Sequence, residues 1–294
     1  MELAMARMSD IILTASAPVI WGSTYIVTTQ LLPPGFPLMV GTLRALPAGL
    51  ILLVAVRRLP PRDLLGRIFI LGALNFTLFW AALFVSAYRL PGGVAATLGA
   101  TQPLIVLLLS RPALGLRIEP AGLGAALAGI AGVGLLILAP NAELDPIGAA
   151  AALIGALSMG AGTVLTRKWQ MPASPLTVTA WQLTAGGLLL LPIALVMEPG
   201  FPVPTATNLA GFLWLGLIGA ALTYFFWFRG IARLGPAAVT SFGFLSPLTA
   251  VLLGWLLLGQ ALGPVQMIGA ATVLVSVWLG QRSGLRAISS APTR

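Results

Sequence analysis

Two stretches of equal length, Arg89 to Leu104 (RLPGGVAATLGATQPL) and Arg233 to Leu248 (RLGPAAVTSFGFLSPL), decide how this chain of 294 residues is read. Laid together at a shift of 144 they pair Arg89-Leu90 with Arg233-Leu234, Gly99 with Gly243 and Pro103-Leu104 with Pro247-Leu248, and beyond them Gly115 with Gly259 and Pro120 with Pro264. Upstream, a shift of 138 pairs Gly22 with Gly160, Thr28 with Thr166, Pro34 with Pro172, Pro37-Leu38 with Pro175-Leu176 and Gly49-Leu50 with Gly187-Leu188. The six extra residues of the second copy are expected around Glu198 to Asn208. Leucine matches are cheap in apolar sequence; paired Pro, Gly and Arg are not. The chain therefore repeats itself, residues 1–143 against 144–294.

What repeats is a membrane unit. The chain is 58% hydrophobic and 8% charged, against about 25% charge in a soluble domain, and its excess of Gly and Pro is tolerated in membrane helices. A spanning helix needs about 20 mostly apolar residues. Ten such stretches follow one another: 11–32, 37–57, 68–88, 91–110, 120–140, 147–168, 175–197, 208–229, 236–258 and 264–281. Positive residues favour the cytoplasmic side. With the N-terminus inside, 14 of the 16 Lys and Arg fall on inner segments; Arg89 lies outside and Arg44 lies within a span. The expectation is an all-α membrane protein of ten transmembrane helices, N-in and C-in, built as two five-helix repeats. Five is odd, so the copies run in opposite senses, and Arg89 outside against Arg233 inside shows the inversion at one position. Inverted repeats characterise secondary transporters, with a site near the midplane between the copies.

Composition also excludes. Without Cys or His there is no disulfide, thiol nucleophile, imidazole base or thiolate metal site; no cofactor and no metal are expected. No clustered Asp pair, HExxH, Gly-x-Ser-x-Gly or phosphate-binding Gly-Lys loop occurs, which argues against an enzyme. The net charge of +9 is scattered over helix ends and does not indicate nucleic-acid binding. Ala15-Ser16-Ala17 resembles a cleavage site, but the apolar stretch before it is too short for a signal peptide.

The ten helices in a five-plus-five inverted repeat, the Trp21-Gly22-Ser23 step and the paired Arg-Leu…Pro-Leu pattern resemble the drug/metabolite transporter superfamily in its EamA-type branch, closest to YddG-type aromatic amino-acid exporters. The resemblance covers nearly the whole chain. It implies export of small metabolites, aromatic amino acids foremost, across a bacterial inner membrane by alternating access; other amino acids, sugar-like metabolites and lipophilic drugs are the alternative cargo. A monomer or weak oligomer in the lipid bilayer is expected. The chain departs from the common pattern at Gly259-Gln260, where many members carry Gly-Glu.

Counting along the spans puts Trp21, Gly22, Phe79, Trp80, Thr101, Gln102, Pro103, Gly160, Gly162, Ser246 and Pro247 near the midplane. Gly22, Pro103, Gly160 and Pro247 are candidate hinges; a proline within a helix removes an N–H and frees carbonyls, which Gln102 and Ser246 could supplement. Helical spacing adds Tyr25 beside Trp21, Asn75 with Phe79, Thr97 with Thr101, Ser158 with Gly162, and Tyr224 near Trp227. Such walls suit an aromatic ligand whose polar ends meet hydroxyls and amides; for Trp21 and Trp80, packing is an equal alternative. Trp169, Trp255 and Trp278, near helix ends, are expected in the interfacial belt. Ala125-(x)3-Gly129 and Ala128-(x)3-Gly132 are expected to serve close helix packing. Arg44 lies roughly 10 Å from a span end at about 1.5 Å per residue. It could hold a carboxylate, but snorkelling or structural pairing is the preferred reading. No Asp, Glu, Lys or His falls inside a span, Asp10 standing at the edge of the first, so facilitated diffusion is expected rather than obligate proton antiport.

Overall fold

The computed structural model describes residues 2–89, 98–137, 145–259 and 263–289. Among them there are helices and turns and no strand. In chain order the helices are α1 (Glu2–Gly22), α2 (Thr24–Leu31), α3 (Pro37–Val56), α4 (Leu65–Gly72), α5 (Leu78–Arg89), α6 (Gln102–Leu114), α7 (Pro120–Ile137), α8 (Pro146–Trp169), α9 (Pro175–Met197), α10 (Ala206–Leu213), α11 (Thr223–Leu234), α12 (Pro236–Ser241), α13 (Leu245–Leu258) and α14 (Pro264–Ser289). A π-helical stretch, Ala73–Thr77, joins α4 to α5; a second, Trp214–Leu222, joins α10 to α11; the 3-10 turn Phe242–Phe244 joins α12 to α13.

Counting through such joints, seven helical segments among the described residues are long and apolar enough to cross a membrane, among them Pro37–Val56, Arg62–Leu83, Pro146–Trp169 and Pro175–Met197, and three shorter apolar stretches stand beside them, Met8–Gly22, Gln102–Leu114 and Pro120–Leu135. The helix α1 ends where the chain turns at Ser23, whose N–H and Oγ both turn back onto the carbonyl of Ile20, at 3.0 and 2.7 Å.

Helix starts follow local chemistry. Pro37, Pro146, Pro175 and Pro236 stand in first turns, where a missing N–H costs nothing. Asp145 caps the N–H of Gly148 and Ser174 that of Thr177, while Thr205 and Asn208 close a capping box. The Glu198 carboxylate accepts the N–H groups of Leu38 and Met39, both at 2.8 Å, placing an anion at the positive end of α3. Gly115 and Gly259 end α6 and α13 in the left-handed region, at φ 70° and 64°, which glycine adopts without strain.

The closest packing joins α3 to α9 and α7 to α14; α5 lies on α8 and α1 on α11. Backbones approach where side chains vanish. A Cβ on Gly49 would lie 2.5 Å from the Thr184 nitrogen, and one on Gly187 would lie 2.7 Å from the Leu46 Cβ, as small-residue helix contacts in membranes require. Gly129 fits against the Phe244 ring and Gly132 against the backbone of α14, the expected use of these steps. Trp255 and Trp278 are exposed, with Arg282 3.9 Å above Trp278 and Arg67 5.8 Å from Trp169, a belt-like arrangement.

Candidate functional site

At the centre of the buried core, α1, the segment from Ala73 through α5, and α11 each contribute rings. Trp21 meets Tyr224 and Trp227 with centroids 4.9 Å apart in both pairs. Phe76 stands edge-on to Tyr224 at 4.6 Å and to Trp80 at 5.4 Å. Phe228 closes the group 5.8 Å from Tyr224. Edge and tilted contacts match the ring quadrupoles. Trp227 is 1% exposed, and its Nε1 has no hydrogen-bond partner.

Backbone irregularity supplies the polar groups beside these rings. At the end of each π-helical stretch an N–H reaches back five residues: Leu78 to Ala73, and Thr223 to Ile218. The carbonyls of Leu74 and Gly219 thus lose the N–H an α-helix would give them, and side chains take over. Ser158 Oγ donates to Leu74 at 2.8 Å. Gly219 accepts from Arg44 Nη2 at 2.7 Å, Thr223 Oγ1 at 2.9 Å and Trp21 Nε1 at 3.2 Å, the last also donating to Thr223 Oγ1 at 2.8 Å. π-Turns inside helices are frequent at functional sites.

Arg44 is 9% exposed, with its guanidinium carbon 5.2 Å from the Trp80 ring centroid. The snorkelling expectation is corrected: a π-face and a carbonyl hold the charge at the ring cluster, more favourably than a reach along the stem to the headgroups. Structural pairing, the other half of that expectation, is observed.

A second polar group lies between the Ala73–Thr77 stretch, α8 and α9. Asn75 and Gln182 are both fully buried, and Asn75 Nδ2 donates to Gln182 Oε1 at 2.7 Å and to Thr166 Oγ1 at 3.4 Å. Asn75 Oδ1 and Gln182 Nε2 have no partner. A Cβ on Gly162 would lie 2.1 Å from Asn75 Oδ1, so the amide occupies space that glycine alone leaves.

The sequence-derived candidates thus divide. Trp21, Trp80 and Tyr224 meet in the ring cluster, with Phe79 packed at its edge. Asn75, Ser158 and Gly162 share the second group. Thr101 caps its own chain through the Leu98 carbonyl at 2.7 Å, and Gln102 Nε2 is buried without a partner. Gly22 lies so close to α13 that a Cβ would stand 2.7 Å from the Ser246 carbonyl; Gly160 faces Ile105 of α6 at 3.1 Å. The proline expectation is refined: Pro103 stands in the first turn of α6 and Pro247 in that of α13, so each follows a break instead of kinking a continuous helix. Ser23 likewise separates Trp21 from the α2 face that carries Thr28. Thr97 and the side chain of Tyr25 lie outside the described residues. Phe76, Thr223, Gln182 and Gly219 were not candidates; a repeat shift that carries Arg44 onto Gln182 and Asn75 onto Gly219 is the signal that points to the last two.

This helical chain, with its apolar segments and buried polar centre, is a membrane transporter. It belongs to the EamA-like transporter family, whose sequence model matches residues 8–138 and again 146–280. It is 47% identical to Protein PecM of Dickeya dadantii (strain 3937), over 90% of each chain. It is 28% identical to the uncharacterized inner membrane transporter YedA of Escherichia coli (strain K12), over 89% of this chain and 87% of that one. It is also 28% identical to a probable terminal-alkyne amino-acid exporter of Streptantibioticus cattleyicolor, over 82% of each. A protein of known crystal structure superposes with a TM-score of 0.79 over 92% of this chain and 97% of the other, at 19% identity, and so shares the fold. The matched family is one of transporters, and two of these relatives are named as a transporter and an exporter.

Proposed function

We propose that the chain exports a small aromatic metabolite, aromatic amino acids foremost, across a bacterial inner membrane by alternating access between two inverted five-helix halves, residues 1–143 and 144–294. The observation that carries this reading is the ring cluster: Trp21, Phe76 and Trp80 come from one half, Tyr224, Trp227 and Phe228 from the other. Rings that pack on one another here can part to take a ligand ring between them, exchanging one set of edge contacts for another. Where the halves meet is where repeat-built transporters bind.

Reciprocal contacts support the pseudo-two-fold. Gly22 of α1 faces Thr249 and Ala250 of α13, and its counterpart Gly160 faces Ile105 and Val106 of α6, which the shift of 144 carries onto Thr249 and Ala250. Gly49 faces Thr184, and Gly187 faces Leu46, the counterpart of Thr184. Arg44 bonds Gly219, and Asn75 bonds Gln182, counterparts taken crosswise. The double match of one family model agrees with this division. The relative named as an amino-acid exporter favours that cargo class.

Transport by this reading needs no proton gradient, since the ring cluster and the Asn75–Gln182 group beside it are built of aromatic, amide, hydroxyl and guanidinium groups. Purified protein in vesicles loaded with radiolabelled phenylalanine or tryptophan is expected to release it down its gradient at equal internal and external pH. A strict requirement for an imposed pH gradient would replace the facilitator with an antiporter; retention of both amino acids under either condition would reject the cargo.

A further inference from the structure

Three donors converge on one oxygen at the centre of this protein. The Gly219 carbonyl receives Arg44 Nη2 at 2.7 Å, Thr223 Oγ1 at 2.9 Å and Trp21 Nε1 at 3.2 Å, although a carbonyl oxygen offers two lone pairs. A further buried donor, Trp227 Nε1, stands in the adjoining ring cluster without an acceptor. This corner is rich in donors and carries a formal positive charge, and the guanidinium lies 5.2 Å from the face of Trp80, one of the rings the cargo would touch.

We infer that Arg44, together with Trp21 Nε1–H and the Thr223 hydroxyl, forms a carboxylate subsite at the edge of the ring cluster, so that the cargo is an aromatic carrying an anionic group. A carboxylate has two oxygens and about four acceptor positions, all matched to N–H and O–H donors, and a guanidinium meets it through two parallel bonds. The carboxylate takes over donors that the single carbonyl of Gly219 now shares. The crosswise counterpart pairs Asn75 with Gln182 side chain to side chain, with amides and no formal charge. The two ends of the site therefore differ, and a ligand with one charged end binds in one orientation. A small, water-poor surround strengthens the charge pairing.

The inference rests on the aromatic reading above, and its test separates the two. Three solutes share a phenyl ring: phenylalanine, phenethylamine, which lacks the carboxylate, and 3-phenylpropionate, which lacks the amine. Each is measured on purified protein as ligand-induced thermal stabilisation and as inhibition of labelled phenylalanine efflux from vesicles. Wild-type protein is expected to respond to phenylalanine and phenylpropionate at least about tenfold more strongly than to phenethylamine, the ratio that separates ligands differing by one good ionic contact. Arg44→Gln is expected to erase that preference, lowering the two carboxylates while leaving phenethylamine unchanged. Arg44→Lys keeps the charge without the planar fork and is expected to retain part of it. The wild-type comparison holds even where Arg44→Gln fails to fold. Equal wild-type responses to phenylalanine and phenethylamine would overturn the carboxylate subsite and leave the aromatic reading standing, as would an Arg44→Gln variant that weakens all three alike. No response to any of the three would overturn both.

Discussion

The side chain of Trp21 joins the two kinds of chemistry at the site: its ring lies 4.9 Å from both Tyr224 and Trp227, and its Nε1–H reaches Thr223 and Gly219. Trp21→Ala removes both at once. Its efflux of aromatic amino acid in vesicles is expected to fall at least about tenfold, a barrier change of about 1.4 kcal/mol, while the protein still reaches the membrane in wild-type amount. Trp21→Phe keeps a ring and loses the donor, and is expected to lie between the two. Unchanged flux at equal expression would assign Trp21 to packing alone. Residues at this scale were legible in the sequence where a single property decided them: Trp21 and Trp80 are too deep for an interfacial belt, and Asn75 is a polar group in an apolar span. Arg44 was not, because a stem that can reach the headgroups can equally turn inward, and only the Gly219 carbonyl and the Trp80 face decide between the two. Gln182 was visible as the counterpart of Arg44, yet its bond to Asn75 depends on how α9 meets the Ala73–Thr77 stretch.

Helices in this chain are bounded by residues that can be read and interrupted by features that cannot. Proline marks the starts of α3, α8, α9 and α12 and glycine the ends of α6 and α13, while of the six extra residues of the second copy only half fall in the expected connection and the other half lengthen α9. The counterpart of Val56 is Ala194, but α9 runs on to Met197 before the connection to α10. The π-helical stretches ALNFT and WLGLIGAAL contain no proline, and apart from Asn75 nothing in their composition departs from an ordinary span. Side chains claim the carbonyls that the backbone gives up: Ser158 in one case, and in the other Arg44 and Trp21 from other helices together with Thr223 one turn on. The contact between α3 and α9, by contrast, is written in glycines. Gly49→Leu would drive a side chain into the Thr184 backbone at a point where a Cβ alone stands 2.5 Å away. Overpacking of this kind costs about 1–3 kcal/mol, so the detergent-solubilised variant is expected to melt several degrees lower, at about 2–4 °C per kcal/mol for a chain of this order of size. Gly124→Leu on α7, where a Cβ would meet nothing within 4 Å, is expected to leave the midpoint unchanged. Equal shifts for the two would show that the α3–α9 approach is less close than it is here.

Charge organises the molecule as a whole. Asp10 in α1 is 7% exposed and held by Arg229 at 2.7 Å and Arg233 at 3.1 Å from α11. Arg89, the repeat counterpart of Arg233, pairs with Asp145 at the start of α8 at 3.4 Å. The N–H of Gly148 foremost, with Arg89 adding to it, holds the Asp145 carboxyl below its ordinary range. A carboxylate shifted downward contributes stability above its unfolded-state value and loses it only as pH falls through the lowered one, so this pair stays ionised through mild acidity. Each clasp ties the end of one half's third segment to the start of the other half's first, and the proposed inversion of the halves would set the two clasps on opposite faces of the membrane. With the N-terminus inside, as we propose from the distribution of Lys and Arg, the Asp10 clasp would face the cytoplasm. The chain carries no cysteine, so a single introduced thiol reports its own side without background. Pro34 and Pro172 are repeat counterparts at a shift of 138, and both are exposed. Pro34→Cys is expected to react with a membrane-impermeant maleimide in intact cells whose outer membrane has been opened, and Pro172→Cys only after the inner membrane is permeabilised. Labelling of both from the same side would refute the inversion, because two copies of an odd number of helices cannot present equivalent loops to one face. Labelling in the opposite order would keep the inverted repeat and reverse the orientation, moving the Asp10 clasp to the outer face and the Asp145 clasp to the cytoplasm.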